Sequence, residues 1–495
     1  MTSTRRPPTV SALHRDVLCR LHAVARESGG ELFLVGGFVR DYFLGRPHSR
    51  NVDLAVAGGA LSFAQRAARE LGGTYICLDE QTGCGRVVVP AHGDRLELDI
   101  ADFRGPTLDA DLGLRDFTIN ALAAPLAAWC EGDAWTARVV DPLGGRADID
   151  ERRVRACFPR TFEEDPVRIL RAFRFAASLH CSFEPSLPSL MSSSVPQLAR
   201  VAGERVRDEL FAILETDQAG WACDQLAALG ALDVMIPELK AGRGLEQGGY
   251  HHLDVLGHQL ETVHQCDRLL ADFAEFSPSL REHMVGYFSQ MPVEGRSRKA
   301  LLKLSGLLHD VGKPATKRVT ETGDIWFIGH EQFGAALVET VTERLRLANR
   351  EADLVHHLVL YHLRPGHLSR EPQLTARAIF RFFRDLGEDG PACLMVWWAD
   401  RLSTRGPSSR LDQIAQQRAR LEELFAAYFL RPEEAVKPPK LVDGVQLMEG
   451  LGLPSGPRIG ELLRAIEEAQ AEGRVRTRDD ALALARRLLQ GNGPG

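Results

Sequence analysis

The spacing of apolar residues changes character along the chain. Residues 9–28 carry apolar side chains at helical intervals and stop at Gly29-Gly30, which predicts an amphipathic helix. Leu32-Phe-Leu-Val35 is a short apolar run and predicts a strand. Gly36-Gly37 breaks it, and Phe38–Leu44 resumes at helical spacing. A second strand is predicted over 52–56, a helix over 60–71 closed by Gly72-Gly73, and strands near 74–78, 86–90 and 96–101. Residues 116–124 have a mixed pattern. The alternation fills about the first 145 residues and predicts an α+β domain.

From residue 146 the strand signal fades. Helices are predicted over 165–180, 203–215 and 219–230, and the Gly-rich stretch Gly242–Gly249 separates them from a long helical region at 253–430. Pro432, Pro438 and Pro439 mark a linker. The tail has a turn at 452–457 and helices near 460–472 and 478–489. The implied organisation is a head over 1–145, a helical neck over 146–240, an all-α domain over 241–430 and a helical tail over 431–495. That agrees with the three or four domains that 495 residues suggest at about 100–200 residues each.

Composition narrows the setting. A hydrophobic fraction of 44% and a charged fraction of 26% are those of a soluble globular protein. No apolar run reaches about 18 residues, so no membrane span is expected. The start, Met1-Thr-Ser-Thr-Arg-Arg-Pro-Pro, lacks a signal peptide's apolar core. Nine cysteines without a CxxC pair fit a reducing cytoplasm and neither a disulfide framework nor a zinc finger. The net charge of −7 is unlike that of a nucleic-acid binder, but charge is local. Residues 152–174 hold seven arginines (Arg152, Arg153, Arg155, Arg160, Arg168, Arg171, Arg174) against three acids (Glu163, Glu164, Asp165), a net of +4. Phosphate binding needs a basic face, not a basic total.

Two constellations carry chemistry. In the first, Leu34-Val-Gly-Gly-Phe-Val-Arg-Asp41 is a strand-turn-helix whose paired glycines let a backbone approach a triphosphate, with Arg40 as a charged contact. Asn51-Val52-Asp53 follows on a strand, where residues i and i+2 share a face. Carboxylates at such positions, completed by Asp99 on a neighbouring strand, hold two Mg²⁺ ions for in-line phosphoryl transfer. Asp165, Arg168 and Arg171 recur at i, i+3 and i+6 in Glu164-Asp-Pro-Val-Arg168, which puts neighbours on one helix face. A carboxylate beside guanidinium groups offers an acceptor and donors that can read the edges of C and A without a template.

Gly36-Gly-Phe-Val-Arg-Asp41, Asn51-Val-Asp53, Arg115-Asp-Phe-Thr-Ile-Asn-Ala121, Asp141-Pro-Leu-Gly-Gly145 and Glu164-Asp-Pro-Val-Arg168 occur in that order. Together they resemble the class II tRNA nucleotidyltransferase and bacterial poly(A) polymerase family, over roughly residues 30–235 and more weakly in the tail. The resemblance implies a polymerase-β-like head followed by helical neck, body and tail. It also implies template-independent addition of C or A, from CTP and ATP, to a tRNA 3′ end. In this reading Asp53 and Asp99 hold Mg²⁺, with Asn51 a weakened third ligand. Gly36, Gly37, Arg40 and Asp41 serve the triphosphate, Arg115, Asp116 and Asn120 shape the nucleotide pocket, and Asp165, Arg168 and Arg171 select the base.

Two departures stand out. The family's metal pair is Asp-x-Asp, whereas Asn51 brings no charge, so Mg²⁺ affinity should fall. The segment between Asp99 and Arg115 is short. In CC-adding members loss of a longer loop there goes with loss of terminal A addition, which implies that a partner enzyme supplies the final A. Two alternatives stay open. One is a poly(A) polymerase, which shares every motif. The other is a degenerate head that only binds RNA.

The second constellation centres on His309-Asp310 in Leu307-Leu-His-Asp-Val-Gly-Lys-Pro314. With His258 upstream and Asp400 downstream it resembles the HD phosphohydrolase superfamily, ordered H…HD…D. His330 and His362 are expected to hold a second metal, with His356 or His357 as substitutes for His362. Mixed nitrogen and oxygen ligands suit Mn²⁺, Ni²⁺, Co²⁺ or Fe over Mg²⁺. The resemblance implies phosphatase and cyclic phosphodiesterase activity, which matches repair of damaged RNA 3′ ends.

Overall fold

A computed structural model describes residues 12–490 of the chain, apart from 48, 92, 93, 294, 437 and 438. Residues 9–11 of the first predicted helix, the Met1–Pro8 start and Pro438 of the predicted linker lie outside the described residues. The chain forms two compact units, Met1–Val201 and Ala202–Gly495.

The first unit is built on a six-stranded sheet. Its strands are β1 (Leu32–Val35), β2 (Asn51–Val56), β3 (Thr74–Asp79), β4 (Cys84–Ala91), β5 (Asp94–Asp102) and β6 (Ala123–Pro125), in the order β3-β4-β5-β2-β1-β6. β2 and β5 run parallel and their other neighbours antiparallel. Alternation sets the faces: Val52 and Leu54 of β2 and Leu96, Leu98 and Ile100 of β5 are buried, so Asn51, Asp53, Glu97 and Asp99 share the opposite face. Helix Ala60–Leu71 packs against β4 and β5. Each predicted head strand and the helix over 60–71 is present. The mixed segment 116–124 resolves into a 3₁₀ turn, Thr118–Asn120, leading into β6.

One expectation is corrected in this unit. The predicted helix over 165–180 begins only at Arg168 and ends at Leu179. Asp165 is extended, with φ −146° and ψ 96°, and caps the short helix Thr161–Glu164. Pro166 is the reason, since the residue before proline is pushed out of the α region. Asp165 therefore does not share a helix face with Arg168 and Arg171.

The second unit is helical. Helix Val255–Asp272 packs on Arg298–Leu308 and Gly390–Ser403, and Asn349–Tyr361 packs on His330–Arg344. Leu301, Leu302, Leu304, Leu307 and Leu308 are fully buried within it. A two-residue-per-strand hairpin, Arg318–Val319 with Ile325–Trp326, interrupts the region read as helical. Pro432 heads a short helix, Pro432–Ala435, and is not part of a bare linker. The tail helices Gly444–Leu451, Pro457–Ala471 and Arg478–Leu489 share a small core of Leu447, Ile459, Leu462, Ile466 and Leu484. Glu468 ties that tail to helix Ala376–Leu386 through Arg377, Arg381 and Arg384.

Candidate functional site

In the head, the parallel register sets Asp53 directly beside Asp99. Gly36 lies next to them. Its φ of +65° is open to glycine, and a Cβ there would lie 3.2 Å from Asp53 Oδ2. The turn from β1 into helix Gly37–Leu44 therefore brings backbone close to the carboxylates. Burial first, and the Asp99 charge second, push the Asp53 carboxyl above its ordinary range, while Arg115, Arg171 and Arg40 pull it down. Two adjacent carboxylates, one of them under-compensated, suit a divalent cation. Asp99 has a partner that the sequence did not suggest. Arg86 on β4 lies opposite it and donates Nε and Nη2 to its two carboxylate oxygens at 2.7 and 2.8 Å.

A chain of polar contacts runs from this turn to the helix beginning at Arg168. Arg40 donates Nε to Asp41 at 2.9 Å and Nη1 to Asn120 Oδ1 at 2.7 Å. Asn120 donates to Asp116 Oδ1 at 3.2 Å. Asp116 Oδ2 in turn accepts Nε and Nη2 of Arg171 at 2.9 and 2.7 Å. Burial alone would raise the Asp116 carboxyl, but the Arg171 charge and hydrogen bonds outweigh it and bring it to about 2. The guanidinium groups of Arg40 and Arg171 both lie over the Phe175 ring. Arg168 points elsewhere: its Nη1 donates to Thr161 Oγ1 at 2.8 Å. Arg115 is held by the buried Asp111 at 2.9 and 3.1 Å.

The motif Asp141–Gly145 supports this array from behind. Asp141 accepts the Gly145 and Arg146 amides, starting helix Gly145–Asp150. Gly145 is needed because a Cβ would lie 2.1 Å from the Thr118 carbonyl. From the same helix, buried Asp148 accepts Thr118 Oγ1, Arg153 Nε and Arg155 Nε at 2.6–2.9 Å. Part of the arginine-rich stretch is thus spent inside the unit: Arg153 and Arg155 serve Asp148, and Arg171 serves Asp116.

In the second unit, six side chains from five segments converge. His258 Nε2 lies 2.9 Å from Asp400 Oδ1 and 3.5 Å from Asp310 Oδ2, and His309 Nε2 lies 3.1 Å from Asp310 Oδ2. Asp310 Oδ1 faces His330 Nε2 at 3.2 Å and His362 Nε2 at 3.8 Å. The ligand atoms form two groups, His258, His309 and Asp400, and Asp310, His330 and His362. Three rings are aimed by backbone. Nδ1 of His309, His330 and His362 lies 2.7–2.8 Å from the carbonyl three residues earlier, that of Gly306, Phe327 and Val359. His309 and His362 sit at helix C-termini, where such carbonyls lack helical partners. Nε2 of His330 and Nε2 of His362 lie 3.2 Å apart.

Such a convergence of acceptors calls for cations. Asp310 and Asp400 face the Nε2 atoms of His258, His309 and His330 at 2.9–3.7 Å, a mixed nitrogen and oxygen donor set that fits metal ligation by the residues present. Burial opposes a charge on His309, yet Asp310 and Asp400 outweigh it and lift its pKa to about 10. Burial, with His309 and His330 beside it, pushes His362 down to about 3. Of the substitutes considered for His362, His357 pairs with Asp389 at 3.1 Å and His356 lies near Glu339, so neither joins the cluster. Lys313, from the same motif as His309-Asp310, reaches Asp310 Oδ2 at 2.6 Å and Gln247 at 2.7 Å.

The amino-acid sequence matches the Poly A polymerase head domain over residues 32–155, the HD domain over 255–404, and the probable RNA and SrmB-binding site of polymerase A over 182–242. It is 36% identical over 464 residues to the A-adding tRNA nucleotidyltransferase of Deinococcus radiodurans, covering 92% of this chain and 95% of that one. The chain belongs to the tRNA nucleotidyltransferase family. CC-adding tRNA nucleotidyltransferases of Thermus thermophilus and Geobacter sulfurreducens are 33% and 31% identical, each aligned over more than nine tenths of both chains. The fold is that of a CCA-adding enzyme in its apo form, with a TM-score of 0.64 at 20% identity over 97% of this chain and 95% of that one. A Thermotoga maritima CCA-adding enzyme complexed with tRNA gives a TM-score of 0.62 at 22% identity, over 97% and 96%. This member of the tRNA nucleotidyltransferase family is thus an enzyme with a polymerase head and an HD domain, and domains of both kinds generally use divalent metals. Among the described residues no helix is long and apolar enough to cross a membrane.

Proposed function

We propose that the head adds C or A nucleotides to the 3′ end of tRNA, taking them from CTP or ATP and releasing pyrophosphate. The observation that carries this reading is the pairing of Asp53 with Asp99 beside the Gly36 turn, joined through Arg40, Asn120 and Asp116 to Arg171. Asp53 and Asp99 would hold Mg²⁺, which would supply charge stabilisation at the transferring phosphoryl group. Gly36, Gly37, Arg40 and Asp41 would serve the triphosphate. Arg115, Asp116 and Asn120 would shape the nucleotide pocket, and Asp165, Arg168 and Arg171 would select the base, Arg168 being held by Thr161 and Arg171 by Asp116.

The enzyme supplies one part of the CCA end. Relatives named for A addition and for CC addition align over nearly the whole chain. The short segment after β5 favours CC addition: it forms helix Leu108–Gly113 with Asp111 buried against Arg115, in place of a long loop. The deciding experiment offers the full-length protein three tRNAs, ending before CCA, after C and after CC, with CTP and ATP separately. Incorporation into one class only supports partial addition. Incorporation through the whole CCA end overturns it. Long A tails on an unstructured RNA would turn the reading to poly(A) polymerase.

The second unit is proposed as a cytoplasmic phosphohydrolase acting on phosphate esters at RNA 3′ ends. His258, His309 and Asp400 would hold one ion and Asp310, His330 and His362 another, from among Mn²⁺, Ni²⁺ and Co²⁺.

A further inference from the structure

The head has two acids where a three-acid cage is expected, and an arginine reaches into it. Asn51 and Asp53 stand two residues apart on β2, opposite Glu97 and Asp99 on β5. Arg86 stands opposite Asp99 from the other side, on β4. Its Nε and Nη2 fork the Asp99 carboxylate at 2.7 and 2.8 Å, and its Nη1 reaches Glu97 Oε2 at 2.9 Å. Asn51 donates Nδ2 to Asp99 Oδ2 at 3.2 Å. The reverse amide orientation would set an oxygen lone pair against a carboxylate, so Asn51 serves Asp99 as a donor. Both Asp99 oxygens then have N–H partners, and a guanidinium offsets the charge. Bidentate charge-assisted pairs of this kind are among the stronger polar contacts.

An aspartate at position 51 would repel Asp99 at the same place and require a cation between them. Asparagine removes one charge and adds one donor. We infer that Arg86 is a positioning residue that holds Asp99 in place of a divalent cation, and that a cation entering the head displaces part of the Arg86–Asp99 fork. The inference rests on the reading of the head as a metal-dependent nucleotidyl-transfer site. It follows that the head alone binds cations weakly. The triphosphate supplies the anionic oxygens that Asn51 does not, so nucleotide and cation bind together.

The test is Mn²⁺ binding to the full-length chain, read from the electron paramagnetic resonance signal of free Mn²⁺. An Asp310→Ala, Asp400→Ala background takes one ligand from each group of the second unit, and Asp53→Ala in that background identifies the head's share. Arg86→Gln should tighten Mn²⁺ binding at the head by about tenfold, the scale on which outer partners tune metal affinity. Asn51→Asp should act in the same direction. Arg86→Lys keeps the charge but cannot fork a carboxylate, so it should fall between wild type and Arg86→Gln. It also serves if Arg86→Gln does not fold, as judged by its thermal melt. Unchanged head affinity in both Arg86 variants overturns the inference. Unchanged Mn²⁺ binding in Asp53→Ala overturns the metal reading of the head itself.

Discussion

Asp116 and Arg171 form a forked pair in which one carboxylate oxygen takes two guanidinium donors at 2.9 and 2.7 Å. The two residues are 55 apart in sequence, and their pairing joins the Arg115–Ala121 motif to the helix beginning at Arg168. The Asp116 carboxyl is depressed to about 2 in the fold. A group whose folded pKa lies below its unfolded value of about 4 stabilises the fold above that value, and the contribution is lost as pH falls toward 2. The stake is about 2 kcal/mol. Thermal melts of wild type should therefore drop more steeply between pH 4 and pH 2 than those of Asp116→Asn. Parallel curves would mean that the pair contributes nothing to stability.

Asp53→Ala should lower nucleotide addition on the order of 100-fold or more, because it removes charge that would hold a metal against the phosphoryl group. Binding of tRNA, measured by filter retention, should change little, since the basic surface is untouched. Full activity in the variant would refute the assignment of Asp53.

Arg168 is aimed by Thr161, whose hydroxyl accepts its Nη1 at 2.8 Å. Arg168→Ala should blur discrimination between CTP and ATP more than it weakens RNA binding. Thr161→Val, which deletes the hydroxyl and keeps the shape, should shift the same ratio in the same direction by a smaller factor. Competition assays with both nucleotides measure it. An unchanged ratio in both variants would leave Arg168 a structural residue.

Asp310→Ala should abolish hydrolysis of a 2′,3′-cyclic phosphate or a phosphomonoester stimulated by Mn²⁺, Ni²⁺ or Co²⁺, because Asp310 faces ligand atoms of both groups. Nucleotide addition should persist, as Asp310 and Asp53 belong to separate compact units. Loss of both activities in this one variant would contradict independent sites.

Much of the head was legible because its strands follow simple periodicity and its motifs place chemistry next to glycine turns. What failed to show depends on register or on one local conformation. Arg86 is an unremarked arginine in sequence, and only its position opposite Asp99 across β4 and β5 gives it meaning. At Asp165 the regular apolar spacing runs on through Pro166, yet the proline itself keeps the residue before it out of the helix. His362 was the expected ring and it joins the cluster, but spacing alone left His356 and His357 open as substitutes, since an HD motif does not say which downstream ring faces it. Helix Gly444–Leu451 went unseen despite a usable mark: Asp443 and Gln446 form a capping box.

The backbone carbonyls behind His309, His330 and His362 carry a wider implication. Side chains commonly orient such rings, and then any change in the surrounding cavity also disturbs the ligands. Here each ring is steered by its own main chain, three residues back. The walls of the cavity can therefore vary without turning the three imidazoles. If the cluster holds ions as proposed, its substrate can change while these three rings keep their aim.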